Sequence, residues 1–96
     1  MAQDFAVISQ VAFKRHVFSI CAASANQFVV GEQGGYLAMV HVSDVGTLTL
    51  QVETKVTDAI FKVIKISTTT ASSQESEFAL ACSGGLFFAR YDQSKP

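Results

Sequence analysis

Phe28-Val29-Val30-Gly31-Glu32-Gln33-Gly34-Gly35-Tyr36-Leu37-Ala38, set over Phe78-Ala79-Leu80-Ala81-Cys82-Ser83-Gly84-Gly85-Leu86-Phe87-Phe88, matches without a gap at an offset of fifty. Each copy is an apolar run, a pair of glycines and a second apolar run. Gly34-Gly35 and Gly84-Gly85 therefore stand where a tight hairpin needs positive φ. Upstream, Val17-Phe18-Ser19-Ile20 falls on Ile60-Phe61-Lys62-Val63 at an offset of forty-three. The difference of seven is taken up between Ser67 and Glu77, a Ser/Thr-rich stretch with almost nothing to bury. It reads as one long loop, where an insertion costs little. The offset of forty-three also reaches the N-terminus. Phe5, Val7, Val11 and Phe13 fall on Leu48, Leu50, Thr54 and Val56, with Ser9 on Val52.

The rest of the chain reads as strands. Proline is absent before Pro96, and β-branched and aromatic residues are frequent. Phe5 to Phe13 and Leu48 to Val56 alternate with period two. Val17–Ala23, Phe28–Val30, Leu37–Val42, Ile60–Ile66, Phe78–Cys82 and Leu86–Tyr91 are short apolar runs ended by Gly, Ser, Asn or Asp, as suits strands buried on both faces. Ser43-Asp44-Val45-Gly46 reads as a further turn. Helix content should be close to nil. With the strands of one repeat named a, b, c and d, the chain runs d-a-b-c-d-a-b-c. Repeat 1 covers about 5–42 and repeat 2 about 47–92, within one unit of 1–96.

A four-stranded unit of about forty-three residues has the period of a β-propeller blade. The stretch from Val17-Phe18-Ser19-Ile20 to Met39-Val40-His41, with its hairpin glycines and a Ser two positions into strand a, resembles the WD-repeat family. The likeness covers nearly the whole chain. Val40-His41 and Arg90-Tyr91 stand where that family has Trp-Asp, and of its Gly-His pair only His16 is present. The resemblance implies an all-β fold of two four-stranded antiparallel blades. It also implies that the first strand d closes a blade ending in strand c, Leu86 to Tyr91. Two blades do not close a ring, and unpaired d and c edges invite pairing. Copies therefore join head to tail, or the chain is part of a longer propeller.

Composition narrows the function. The 96 residues are 49% hydrophobic and 16% charged, with eight Phe and a net charge of -1. That supplies a core and argues against an electrostatic footprint for nucleic acid or an anionic membrane. No apolar run approaches the roughly 20 residues of a membrane span, and Met1-Ala2-Gln3-Asp4 has no signal character. Cys21 and Cys82 show no metal-ligand spacing and form no disulfide framework, as expected of reduced thiols in a cytoplasmic protein.

The chemistry-bearing residues have structural readings. His16 follows Lys14-Arg15 at a strand entry and reads as a hydrogen-bonded turn residue. His41, Ser43 and Asp44 are too close in sequence for a triad, whose members come from distant segments. Two His and two Cys give none of the zinc spacings, and the Gly31–Gly35 cluster leads into a strand rather than a phosphate-binding helix. No catalytic, cofactor or metal site is expected. The leading function is a non-enzymatic module for protein–protein interaction. Its binding rim, by analogy with the family, is formed by the d–a and b–c connections: Lys14, Arg15 and His16 with Glu32 and Gln33, and Thr57 and Asp58 with Ser83. The competing expectation is a standalone ligand-binding β-sandwich or barrel.

Overall fold

The computed structural model describes residues 5–66 and 75–92, and these are all-β, with no helix among them. Hence no helix of the described residues is long and apolar enough to cross a membrane. Seven strands form two antiparallel sheets, β1 (Val17–Ser24), β2 (Gln27–Glu32), β3 (Tyr36–Val42) and β4 (Leu48–Lys55) in the first, and β5 (Ile60–Ile66), β6 (Glu75–Cys82) and β7 (Gly85–Asp92) in the second. Each sheet is a meander in which every strand pairs with its neighbour in sequence.

Strand side chains alternate between faces, and both faces of the first sheet are used. Ala23, Val29 and Met39 point to the second sheet and meet Ile60, Val63, Phe78 and Leu80 in the main core. The opposite face presents Val30, Ala38 and Val40, which are covered by Val11, Phe13, Phe28 and Leu48. The sheets meet most closely along β1 and β5. Val63 N donates to Ser19 Oγ (3.1 Å), Lys65 N to Cys21 Sγ (3.1 Å), and Lys65 Nζ to the Ala23 carbonyl. Gly31 lies beneath this joint, where a Cβ would meet Ile60 Cγ2 and Val63 Cγ2 at 3.1 Å.

Three expectations need correction. Residues 5–13 were expected as a strand and carry none. They form an arm whose later part lies on the first sheet through Val11 and Phe13, while Ser9 Oγ donates to the Gly46 carbonyl (2.6 Å) and accepts from Leu48 N (3.2 Å). A strand needs a partner edge, and the arm has found a face instead. The second correction concerns the expected Ser67–Glu77 loop. Residues 67–74 lie outside the described ones, but Glu75, Ser76 and Glu77 belong to β6, and Ser76 and Glu77 are buried. Glu77 is held there by Arg90 opposite it on β7, with Nη2 at 2.7 Å and Nε at 3.1 Å from Oε2.

The third correction is one of register. Glu32 pairs with Tyr36 around Gln33-Gly34-Gly35, whereas Cys82 pairs with Gly85 around only Ser83-Gly84. The second hairpin is thus one residue tighter than the gapless sequence match implies. Since a one-residue slip reverses the faces of a strand, Ala89 and Tyr91 turn to the core while Phe88 is left exposed.

Candidate interaction surface

The β2–β3 turn is the centre of the rim. Gly34 and Gly35 have φ of 84° and 85°, which L side chains rarely adopt. Gly35 is also enclosed. Its carbonyl accepts from Val56 N (2.9 Å) and Thr57 N (3.3 Å), and a Cβ on it would lie 1.8 Å from the Thr57 carbonyl oxygen. Gln33 N donates to the His16 carbonyl (2.8 Å), tying the segment before β1 to the same turn. Of the residues expected to share one rim, these bonds draw together His16, Gln33 and Thr57, with Glu32 and Asp58 as their chain neighbours and Lys14 and Arg15 leading in. Lys14, His16, Gln33 and Asp58 are exposed. Ser83 lies in the separate β6–β7 turn, and it is exposed there beside Gly84 and Gly85.

Beneath the rim is a charged cluster. Glu32 is 0% exposed rather than presented to solvent, and neither of its carboxylate oxygens has a hydrogen-bond partner. Arg15 Nη1 stands 3.6 Å from Glu32 Oε1 and 3.3 Å from Glu53 Oε2 on β4, and the guanidinium lies 3.5 Å from the centroid of the Tyr36 ring. Burial pushes the Glu32 carboxyl up to about 7, and Glu53 adds to the rise while Arg15 opposes it. A buried carboxylate beside a second one is costly to ionise unless a cation compensates. Arg15 therefore acts as the internal fastening of the rim, joining the end of the arm to β2, β3 and β4.

Tyr36, Glu53, Glu77 and Arg90 were not singled out from sequence. Cross-strand register would have exposed the Glu77–Arg90 pair, since those residues are directly opposite. Nothing local in sequence places Glu53 beside Arg15. The His41, Ser43, Asp44 group has structural partners: Ser43 closes its turn by accepting from Thr47 N (3.0 Å), and His41 Nε2 lies 3.3 Å from Asn26 Nδ2.

The second feature is an open apolar cleft of about 310 Å³ between the outer strands of the two sheets. Met39, Val52, Thr54 and Val56 line one side, and Phe78, Ala89 and Tyr91 the other. Beside it runs β7, whose sole strand partner among the described residues is β6. Leu86, Phe87 and Phe88 on this strand are exposed. Such an edge, apolar and with charge only at Arg90 and Asp92, is open to pairing. Comparison with protein-family models, curated proteins and solved structures found no match to this chain.

Proposed function

We propose that the chain is a non-enzymatic β-propeller module for protein–protein interaction, its two sheets serving as two blades of a ring completed by further copies or by a longer protein. The observation that carries this reading is the relation of the two sheets. Each is a meander beginning at the strand nearest its neighbour, β1 lies against β5, and β4 leads straight into the second sheet across the main core. A step of this kind can be repeated by a further sheet, and exposed apolar residues at β7 leave room for one. The partner-binding rim is the clamped β2–β3 turn with Lys14, His16, Gln33 and Asp58 exposed around it, because loops on a rigid scaffold carry recognition. The free thiols of Cys21 and Cys82 fit a reducing cytoplasmic setting.

If copies close the ring, the blade number is even, about six or eight, and the assembly is a cyclic trimer or tetramer. Native mass spectrometry tests this. The cleft favours one competing reading, a small β-sandwich that takes an apolar ligand between its sheets. A 10.3 kDa monomer that gains thermal stability with an apolar ligand would support that alternative.

A further inference from the structure

β1 and β5 each carry a bulge at the same place. Val17 pairs with Glu32 and Ser19 with Gly31, so Phe18 has no partner on β2. Forty-three positions on, Ile60 pairs with Cys82 and Lys62 with Ala81, and Phe61 has no partner on β6. The residue that a bulge inserts leaves the ladder, and its side chain is re-aimed. Neither ring serves a core, for Phe18 is 51% exposed and Phe61 61%. One exposed aromatic residue is ordinary, but two at one repeated position on adjoining strands are a surface feature.

The fold brings the two to one place. The side chains of Ser19 and Cys21 accept from Val63 N and Lys65 N in turn, so β1 and β5 run side by side in the same direction. Their leading ends are tied to one turn from two sides: the His16 carbonyl accepts from Gln33 N, and Thr57 N donates to the Gly35 carbonyl. Phe18 stands two residues beyond His16 and Phe61 four beyond Thr57, at the same end of the joint.

Positive charge is in excess around them. Lys14 and Lys62 are exposed, and neither forms an ion pair among the described residues. Arg15 is taken up by Glu32 and Glu53, and Asp58 is the one acid within 14–18 and 57–62. The chain's own exposed apolar segment, residues 5–13, has no charge to offer these lysines.

We propose that the bulged ends of β1 and β5 form a docking surface for an acidic peptide segment of another protein, whose apolar side chains seat on Phe18 and Phe61 and whose flanking carboxylates pair with Lys14 and Lys62. This rests on the interaction-module reading above and adds the chemistry of the partner. The aromatic rings supply contact area and the lysines steer the approach, as centre and margin of an interface do.

A phage-displayed library of short random peptides, panned against the full chain, tests the surface. Enriched peptides should combine two apolar residues with Asp or Glu, and their affinity should fall about tenfold or more for a Phe18→Ser/Phe61→Ser variant. Both side chains lie outside the cores, so this variant should melt as wild type does. A Lys14→Glu/Lys62→Glu variant should select basic peptides instead. Peptides that bind the Phe18→Ser/Phe61→Ser variant undiminished overturn the surface. Failure to enrich any sequence also overturns it, and if the chain then binds phosphatidylserine vesicles through the same two residues, the patch is a membrane contact. Native mass spectrometry of the same preparations separates this surface from the assembly. A cyclic trimer or tetramer with no peptide preference leaves the propeller reading standing without it. A monomer that binds acidic peptides through Phe18 and Phe61 upholds the surface and overturns the ring of copies.

Discussion

The two sheets start from nearly the same sequence pattern and finish in different circumstances. In the first, β3 is flanked by β2 and β4, both faces are covered, and the turn at Gly35 is held by Val56 N and Thr57 N, which donate to the Gly35 carbonyl. In the second, β7 ends the sheet among the described residues, Leu86 to Phe88 are exposed, and a Cβ at Gly84 or Gly85 would meet nothing within 4 Å. The difference lies in what stands next to each hairpin. A turn of three residues is held open where a following segment braces it, and a turn of two forms where nothing does.

Substitutions sharpen this contrast. Phe78→Ala should cost about 3–5 kcal/mol, because Phe78 fills the space between the sheets. Phe88→Ala, on the exposed face, should cost under about 1 kcal/mol. Chemical denaturation of both measures the ratio, and similar losses would mean that Phe88 is buried in solution.

The two turns should separate almost as widely. Gly35→Ala forces a Cβ onto the Thr57 backbone as well as straining the left-handed conformation, and about 3–4 kcal/mol is expected. Gly85→Ala meets no atom and bears only the cost of its φ of 149°, about 1 kcal/mol. Gly84→Ala, with neither strain nor contact, should stay within about 0.5 kcal/mol of wild type. Equal melting shifts at Gly35 and Gly85 would break the distinction between braced and open turns.

A smaller effect tests the fastening below the rim. The Glu32 carboxyl is pushed up to about 7 from an ordinary 4.5, so the folded chain holds that proton more tightly than the unfolded chain does. Its contribution to stability is complete below about 4.5 and is lost as the pH rises through 7. Glu32→Gln should therefore flatten the fall in melting temperature between these values. A variant as pH-sensitive as wild type would show that Glu32 is not the titrating group.

Much of the fold was legible because period-two alternation and glycine pairs are local signals. The strands from Val17 onward and the hairpins at Gly34-Gly35 and Gly84-Gly85 follow from them. What escaped is non-local. Glu75–Glu77 looks like loop until Arg90, thirteen residues beyond Glu77, supplies its counter-charge. The arm has the alternation of a strand, but alternation does not supply an edge to pair with. The one-residue register change depends on how much room a turn has, and sequence similarity between the two hairpins conceals it. Within the expected rim, the nearness of His16 to Gln33 follows from their connections, whereas Thr57 stands beside Gly35 rather than with Ser83, and the burial of Glu32 depends on the convergence of Arg15 and Glu53.

The nearest-neighbour pairing of the strands also bears on how the chain folds. No strand crosses over another, so each sheet can grow by adding hairpins, at a modest cost in loop closure for an all-β chain. Among the contacts that span long stretches of sequence are those joining β1 to β5, forty-four residues apart at Ser19 and Val63. Residues 17–55 thus form a sheet whose backbone pairing is complete before the second half is needed. In amide hydrogen exchange, β2 and β3, each paired on both sides, should outlast β7.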